Sequence, residues 1–480
     1  MSILVIDVGT SGVRAAIVRP DASVEHVHHR PVLPSSPEPG MVEFDARQLA
    51  DAALDVARSA LADGGPVDAL GIANQRASTI VWDRRTSQPI GPGIGWQDLR
   101  TVVHCLMLQA QGVRVAPNAS ATKVAYLLTL LSRQDWEFLA FGTVDAWLTW
   151  VLSEGQLHVT DATNAGITGM RMGDASGWND KVLEAIDVPR SMLPTVVDST
   201  GIIGPATALP GAPMIAGIAG DQQASLIGQG CVRPGLAKIT FGTGGMLDAC
   251  LGAAPPTFDY RGTGGCFPIV AWQADGVTTW GVEAIMLAAG TNVEWLRDDL
   301  GVITTAAESD AVAAACADTG DVWYVPALLG LGTPHWDFGA RGTLLGLTRG
   351  TGRPQLVRAV LEGIAHRGAD LVEAAETDAA MTFASLRIDG GMSDNATFVQ
   401  ALANTCGRPI EVAPITEATT LGAAFLAGLA VGTWSSFDDV AAAWKPARVV
   451  EPTARADRAR WQEAVSRSRS WLADLSALDF

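Results

Sequence analysis

The chain opens on four apolar residues in a row, Ile3, Leu4, Val5 and Ile6, broken by Gly9, Thr10, Ser11 and Gly12 and resumed from Ala15 to Val18. An unbroken apolar run marks a strand buried on both faces, and a short glycine-rich break predicts a hairpin. The pattern returns far along the chain: Leu236 to Phe241 runs into Gly242, Thr243, Gly244 and Gly245, and Met246 to Leu251 resumes it. Each hairpin is followed by a later apolar strand that ends in a polar turn, LGIANQRAST at 70–79 and LRIDGGMSDNAT at 386–397. The repetition predicts a duplicated α/β architecture. Between the copies, residues 215–235 are glycine-rich and end in Pro-Gly. They predict a boundary near residue 229, with domains at 1–228 and 229–480. Helices are predicted at 120–132, 355–376 and 417–432. In the second of these, Leu356, Val357, Val360, Leu361 and Ile364 recur at helical spacing. The tail at 454–475 alternates Arg, Ala, Trp and Glu and reads as a solvated closing helix.

Size and charge sharpen this picture. At 480 residues the chain is too long for one ordinary core, and 48% hydrophobic against 18% charged residues suits two globular cores. A net charge of -18 repels phosphate backbones and anionic lipid, so neither nucleic acid nor a membrane surface is an expected partner. An anionic substrate would need a local site, because the overall field opposes it. The cysteines at 105, 231, 250, 266, 316 and 406 form no CxxC pair and join no His cluster, so reduced thiols are expected. MSILVIDVGTSG lacks a basic region followed by a cleavable apolar stretch, and no charge-free apolar run reaches membrane-spanning length. A cytoplasmic location is expected.

The candidate chemistry sits at the hairpin tips and strand ends. Small residues let backbone N–H groups approach phosphate oxygens, and the hydroxyls of Thr10, Ser11 and Thr243 add donors. Two such tips could hold a triphosphate. GxxxxGK[ST] and GxGxxG are both absent, so a Walker loop and a dinucleotide fingerprint are excluded. Asp7, Asp221 and Asp389 follow apolar strands, where carboxylates serve Mg²⁺-dependent phosphoryl transfer as metal partners or as the base. Gln75, Arg76, Trp96, Gln97 and Asp98 mix an indole face with hydroxyl-binding groups, a combination suited to a polyhydroxylated ligand.

A longer set of motifs carries a resemblance. It comprises IDVGTSGVRA at 6–15, NQRASTIVWD at 74–83, WQDLRT at 96–101, FGTVDAWLTW at 141–150 and HVTDATNA at 158–165. It continues with AGDQQASLIGQG at 219–230, FGTGGM at 241–246, GLGTPHWDFGARGTLLGLTRG at 330–350, DGGMSDN at 389–395 and TEATTLGAAFLAGLAVG at 416–432. In this order the segments resemble the FGGY carbohydrate kinases, and within that family the glycerol kinase branch. The resemblance implies two actin-like (RNase H-type) ATPase domains with a catalytic cleft between them. ATP would lie on the C-terminal domain and the acceptor mainly on the N-terminal one.

By the same resemblance Asp221 is the general base, Gln222 contacts the acceptor, and Asp7 with Asp221 attends Mg²⁺. Thr10, Ser11, Gly12 and Arg14 fall on the first phosphate hairpin, and Gly242 and Thr243 on the second. Gly290 and Glu294 flank the nucleotide, as do Gly391, Met392 and Asn395. The acceptor site takes in Gln75, Arg76, Ala77, Trp96, Asn118, Asp221, Gln222 and Met246, and here the match is partial. Ala77 stands where that branch has a glutamate, Asn118 where a tyrosine is expected, and Ala119 and Met246 where phenylalanines are expected. These changes imply a widened pocket and an acceptor longer or bulkier than glycerol. The expected reaction is ATP-dependent phosphorylation of a primary hydroxyl on a small polyol or sugar. A ketopentose kinase and a catalytically weak ATP-binding regulatory protein are the alternatives, and a homodimer is the default assembly.

Overall fold

A computed structural model describes residues 1–414 and 417–479. Thr416, the first residue of the motif read at 416–432, lies outside the described residues. The opening apolar run forms β1 (Ile3–Val8), which turns back antiparallel as β2 (Gly12–Val18) and again as β3 (Val24–Pro31). α1 (Ala46–Gly64) follows, its first turn capped by the Asp45 carboxylate, which accepts from the Arg47 and Gln48 amides at 2.8 and 3.0 Å. β4 (Ala69–Asn74) then runs parallel to β1. α2 (Ala121–Thr129) lies within the helix expected at 120–132. β5 (Thr200–Pro205) leads antiparallel into β6 (Met214–Gly220), which pairs parallel with β4 and runs straight into α3 (Asp221–Gly228).

The second half repeats this plan. β7 (Ala237–Phe241) and β8 (Gly245–Gly252) form the second glycine hairpin, followed by β9 (Phe267–Ala274) and β10 (Val277–Met286). α4 (Thr291–Asp298) and the long α5 (Arg353–Ala379) precede β11 (Leu386–Asp389), which pairs parallel with β7. α6 (Ala396–Cys406), β12 (Ile410–Val412), α7 (Ala418–Val431), β13 (Arg448–Val450) and α8 (Arg458–Ser468) complete the chain. β3-β2-β1-β4-β6 and β10-β8-β7-β11-β12 therefore share one pattern, an antiparallel meander extended by two parallel strands. This is the duplicated arrangement of an actin-like pair, and one pairing, Thr200 with Ala274, joins the two sheets.

Each half has its own core. β1, β2 and β4 pack with α1 in the first, and β7, β8 and β10 pack with α5 in the second. A third core lies where the halves meet, with Ile3, Val5 and Ala73 facing Leu226, Leu421 and Phe425. There α3 and α7 touch backbone to backbone. A Cβ on Gly422 would sit 1.7 Å from the Ala224 carbonyl oxygen, and one on Gly228 would sit 1.8 Å from that of Ala418. Only glycine permits that approach.

The tail departs from expectation. α8 is shorter than 454–475, and one face of it is docked rather than solvated. Trp461, Ala464 and Val465 are buried against Val325 and Leu331, and the Trp461 indole donates to Asp370 at 3.1 Å. All six cysteines are free thiols. Among the described residues no helix is long and apolar enough to cross a membrane.

Candidate active site

The strand ends bring the predicted chemistry together. Asp7, the one partly exposed residue of β1, pairs across the ladder with Arg14 of β2. Burial raises the Asp7 carboxyl to about 7. Arg14 pulls it down, and Asp221 and Glu417 push it further up. Asp7 thus lies within electrostatic reach of two further carboxylates. Arg14 makes an ion pair with Glu417, just ahead of α7, so its charge is already engaged. Asp221 is the first residue of α3. Its Oδ1 accepts from the Gln222 amide at 2.8 Å and lies 3.5 Å from Arg76 Nε. Burial raises its carboxyl too, against the pull of Arg76 and of that amide. About a third of its side chain remains exposed (31%), so it can meet a ligand.

The two hairpin tips are braced differently. In the first, Gly9 N–H bonds the Gly12 carbonyl at 2.9 Å, and Thr10 Oγ1 accepts from the Trp96 indole at 3.2 Å. Ser11 is exposed, and Gly12 already belongs to β2. In the second, the Gly242 carbonyl accepts from Gly290 N–H at 2.9 Å, and that of Thr243 accepts from Ala289 N–H at 2.8 Å. A Cβ on Gly290 would meet the Gly242 oxygen at 2.6 Å, so the close seam requires glycine there. Gly242, Thr243 and Gly290 are therefore one unit, with Glu294 exposed in the first turn of α4.

Gly391 opens a short turn of helix after β11. Met392 is buried in the second core, so its side chain serves packing and leaves only its backbone to a ligand. Asn395 is committed as well. Its oxygen caps α6 by accepting from Phe398 N–H at 2.8 Å, and its amide donates to Ser309 at 3.0 Å.

Among the residues expected at the acceptor, Arg76 is the hub. Its Nη2 lies 2.6 Å from Glu283 Oε2, while Nε faces Asp221. Gln222 Oε1 accepts from Lys238 Nζ at 2.8 Å. Trp96 is partly exposed, and Asn118 stands close to it. Lys123, fully buried, donates to the carbonyls of both, at 3.0 and 3.2 Å. Burial pulls the Lys123 ammonium down to about 7. Met246 is half-buried at the start of β8.

Two residues expected at the acceptor are buried. Gln75, expected to touch the acceptor, is buried and braces the first hairpin. Its Nε2 donates to the Gly9 carbonyl at 3.2 Å, and its Oε1 accepts from Ser78 at 3.0 Å. Ala77, expected to widen the pocket, is 1% exposed and holds a left-handed backbone with φ 59°. Ala119 is likewise buried. Neither side chain is open to solvent.

The sequence reading passed over Glu283, Lys238, Asp248, Lys123 and Glu417. A signal existed for three of them: each is a charged residue inside an apolar strand, in AKITF, MLDACL and WGVEAIM. Strands buried on both faces seldom carry charge without a partner.

Family models match almost the whole chain. The N-terminal domain of the FGGY family of carbohydrate kinases matches residues 2–228, and its C-terminal domain matches residues 237–431. The chain belongs to the FGGY family of carbohydrate kinases. Among its FGGY relatives, the glycerol kinase of Aromatoleum aromaticum is 42% identical, covering 98% of this chain and 99% of its own. That of Deinococcus radiodurans is 40% identical over 99% of both chains. Among solved FGGY structures, the glycerol kinase of Plasmodium falciparum with ADP superimposes with a TM-score of 0.90 at 27% identity, covering 97% of this chain and 98% of that one. The xylulose kinase of Rhodospirillum rubrum gives 0.82 at 22% identity over 99% of both, a likeness of fold. The protein is thus a carbohydrate or polyol kinase of glycerol kinase-like type.

Proposed function

We propose that the protein transfers the terminal phosphoryl group of ATP to a primary hydroxyl of a glycerol-sized polyol, with Asp221 as the base. The observation that carries this reading is the setting of Asp221. It is a partly exposed carboxylate at the start of α3, raised by burial, with Arg76 at 3.5 Å and the Gly242–Thr243–Gly290 unit in the same second half as its neighbour Lys238. A carboxylate raised toward neutrality is suited to taking the proton of an attacking alcohol. The N–H groups and hydroxyls at the two tips would bind the phosphates, and Arg76, Gln222, Trp96 and the Asn118 segment would orient the acceptor. Most of the rate then comes from alignment and charge stabilisation.

Asp7 and Asp221 fit a divalent cation. Burial and two neighbouring carboxylates destabilise the Asp7 charge, a cost that a cation would relieve. Among the described residues no group of three or more His, Cys, Asp or Glu could hold a metal ion. A cation would therefore lean on phosphate oxygens and water, as Mg²⁺ does. Bound there, Mg²⁺ supplies charge neutralisation on the phosphates.

Acceptor size follows from the burial pattern. Of the changes expected to enlarge the pocket, only Asn118 and Met246 remain at least partly exposed. The glycerol kinase relatives support the same size class. The test is kcat/KM across glycerol, tetritols, pentitols and ketopentoses. Glycerol or a tetritol is expected to lead, and a ketopentose leading by about tenfold, or 1.4 kcal/mol, would reassign the acceptor class.

A further inference from the structure

Behind Asp221 lies a buried row of charges from three neighbouring strands. Lys238 of β7 stands opposite Asp248 of β8, and Asp248 stands opposite Glu283 of β10. Lys238 and Asp248 are fully buried and 2.8 Å apart. Apolar residues would hold these strands together at lower cost, since buried ion pairs rarely outperform packed hydrocarbon. What sets the row apart is what its ends touch. At one end Lys238 holds the side chain of Gln222 at 2.8 Å. At the other, Glu283 holds Arg76 Nη2 at 2.6 Å, and the Nε of that guanidinium lies 3.5 Å from Asp221.

Arg76 belongs to the first half of the chain and Glu283 to the second, so this ion pair bridges the two. Arg76 has two carboxylates within ion-pair reach, and the nearer is Glu283. That arrangement leaves Asp221 a looser contact and keeps its oxygens available to an alcohol.

We propose that Glu283 is a positioning residue that anchors Arg76 from across the cleft, presenting its guanidinium to the acceptor and keeping it off Asp221. This rests on the kinase reading above. Without the Glu283 charge, Asp221 is the one ion-pair partner left to Arg76 among the described residues, and the guanidinium closes onto the base. The effect falls on the acceptor and on proton transfer. The Gly242–Thr243–Gly290 unit is not touched.

The test is a double-mutant cycle in the full-length enzyme with glycerol and ATP: Glu283→Gln, Arg76→Met and the pair together. Glu283→Gln is expected to lose about ten- to a hundredfold in kcat/KM for glycerol, the scale of one contact to a charged group. KM for ATP should stay within about twofold, and the double variant should fall within about threefold of Arg76→Met alone, because Glu283 acts through Arg76. Should Glu283→Gln not fold, the comparison of Arg76→Met with the double variant decides the matter. An unchanged kcat/KM in Glu283→Gln, or a further fall of about tenfold in the double variant, overturns the positioning role. A wild-type enzyme that phosphorylates no polyol or sugar overturns the functional reading itself.

Discussion

Replacing Lys238 by methionine should be among the most damaging single changes in the second half. Its ammonium sits 2.8 Å from Asp248, 2.8 Å from Gln222 and 3.0 Å from Thr240, with no exposed side-chain surface. Methionine keeps the volume and removes the charge. Asp248 is then a buried carboxylate facing Glu283, another acid, across the ladder. Breaking one partner of a buried pair costs about 3–5 kcal/mol. Urea unfolding followed by tryptophan fluorescence should therefore show a deficit of about 3–5 kcal/mol at pH 7. Lys238→Met with Asp248→Leu leaves no orphaned charge and should recover most of the loss. A deficit under about 1 kcal/mol, or a double variant as unstable as the single, would refute the reasoning.

Other outcomes follow from the same geometry. Asp221→Asn keeps the size and the Gln222 contact but cannot take a proton, so kcat should fall about 10²–10⁴-fold while a fluorescent ADP analogue binds unchanged. Turnover within about tenfold of wild type would remove Asp221 from that role. Gly422→Ala forces a methyl group onto the Ala224 carbonyl and should lower stability by about 1–3 kcal/mol or more in thermal melts, whereas Ala423→Gly should cost less. His366 is buried and stacked on Trp461, and burial lowers its pKa from 6.5 to about 3. The unfolded chain therefore takes up this proton between pH 6.5 and 3 while the folded chain does not, and stability is lost as pH falls through that window. In His366→Phe the slope of unfolding free energy against pH between about 4 and 6 should drop by about 1.4 kcal/mol per unit, read by denaturant titrations. An unchanged slope would show that the imidazole is not shielded.

Much of the architecture was legible because it is written locally. Apolar runs at Ile3–Ile6 and Leu236–Phe241, each cut by small residues, specify hairpins whatever surrounds them. Repetition of that unit points to the paired sheets. Residue types at strand ends likewise single out Asp7 and Asp221 as candidates. Side-chain direction was not legible. Gln75 and Arg76 are neighbours in sequence, yet one braces the first hairpin and the other faces Asp221. Ala77 reads as lost volume in a pocket only if its Cβ points there, and its left-handed backbone turns it into a buried site. The row Lys238–Asp248–Glu283 depends on register between strands far apart in sequence, which no local pattern carries. In α8, apolar positions 461, 464 and 465 at helical spacing did mark a docked face, but the density of Arg and Glu around them masked it.

The glycine contact between α3 and α7 has a mechanical consequence. Where side chains interlock, one helix can rotate on another only by jumping between rotamers, which makes motion stepwise. At the Gly228–Gly422 crossing itself there are no such detents, and Leu226, Leu421 and Phe425 pack beside it. α3 carries Asp221 at its first turn, and α7 is preceded by Glu417, which grips Arg14. A small twist at this glycine crossing is thereby passed to Asp221 and to the Glu417–Arg14 pair.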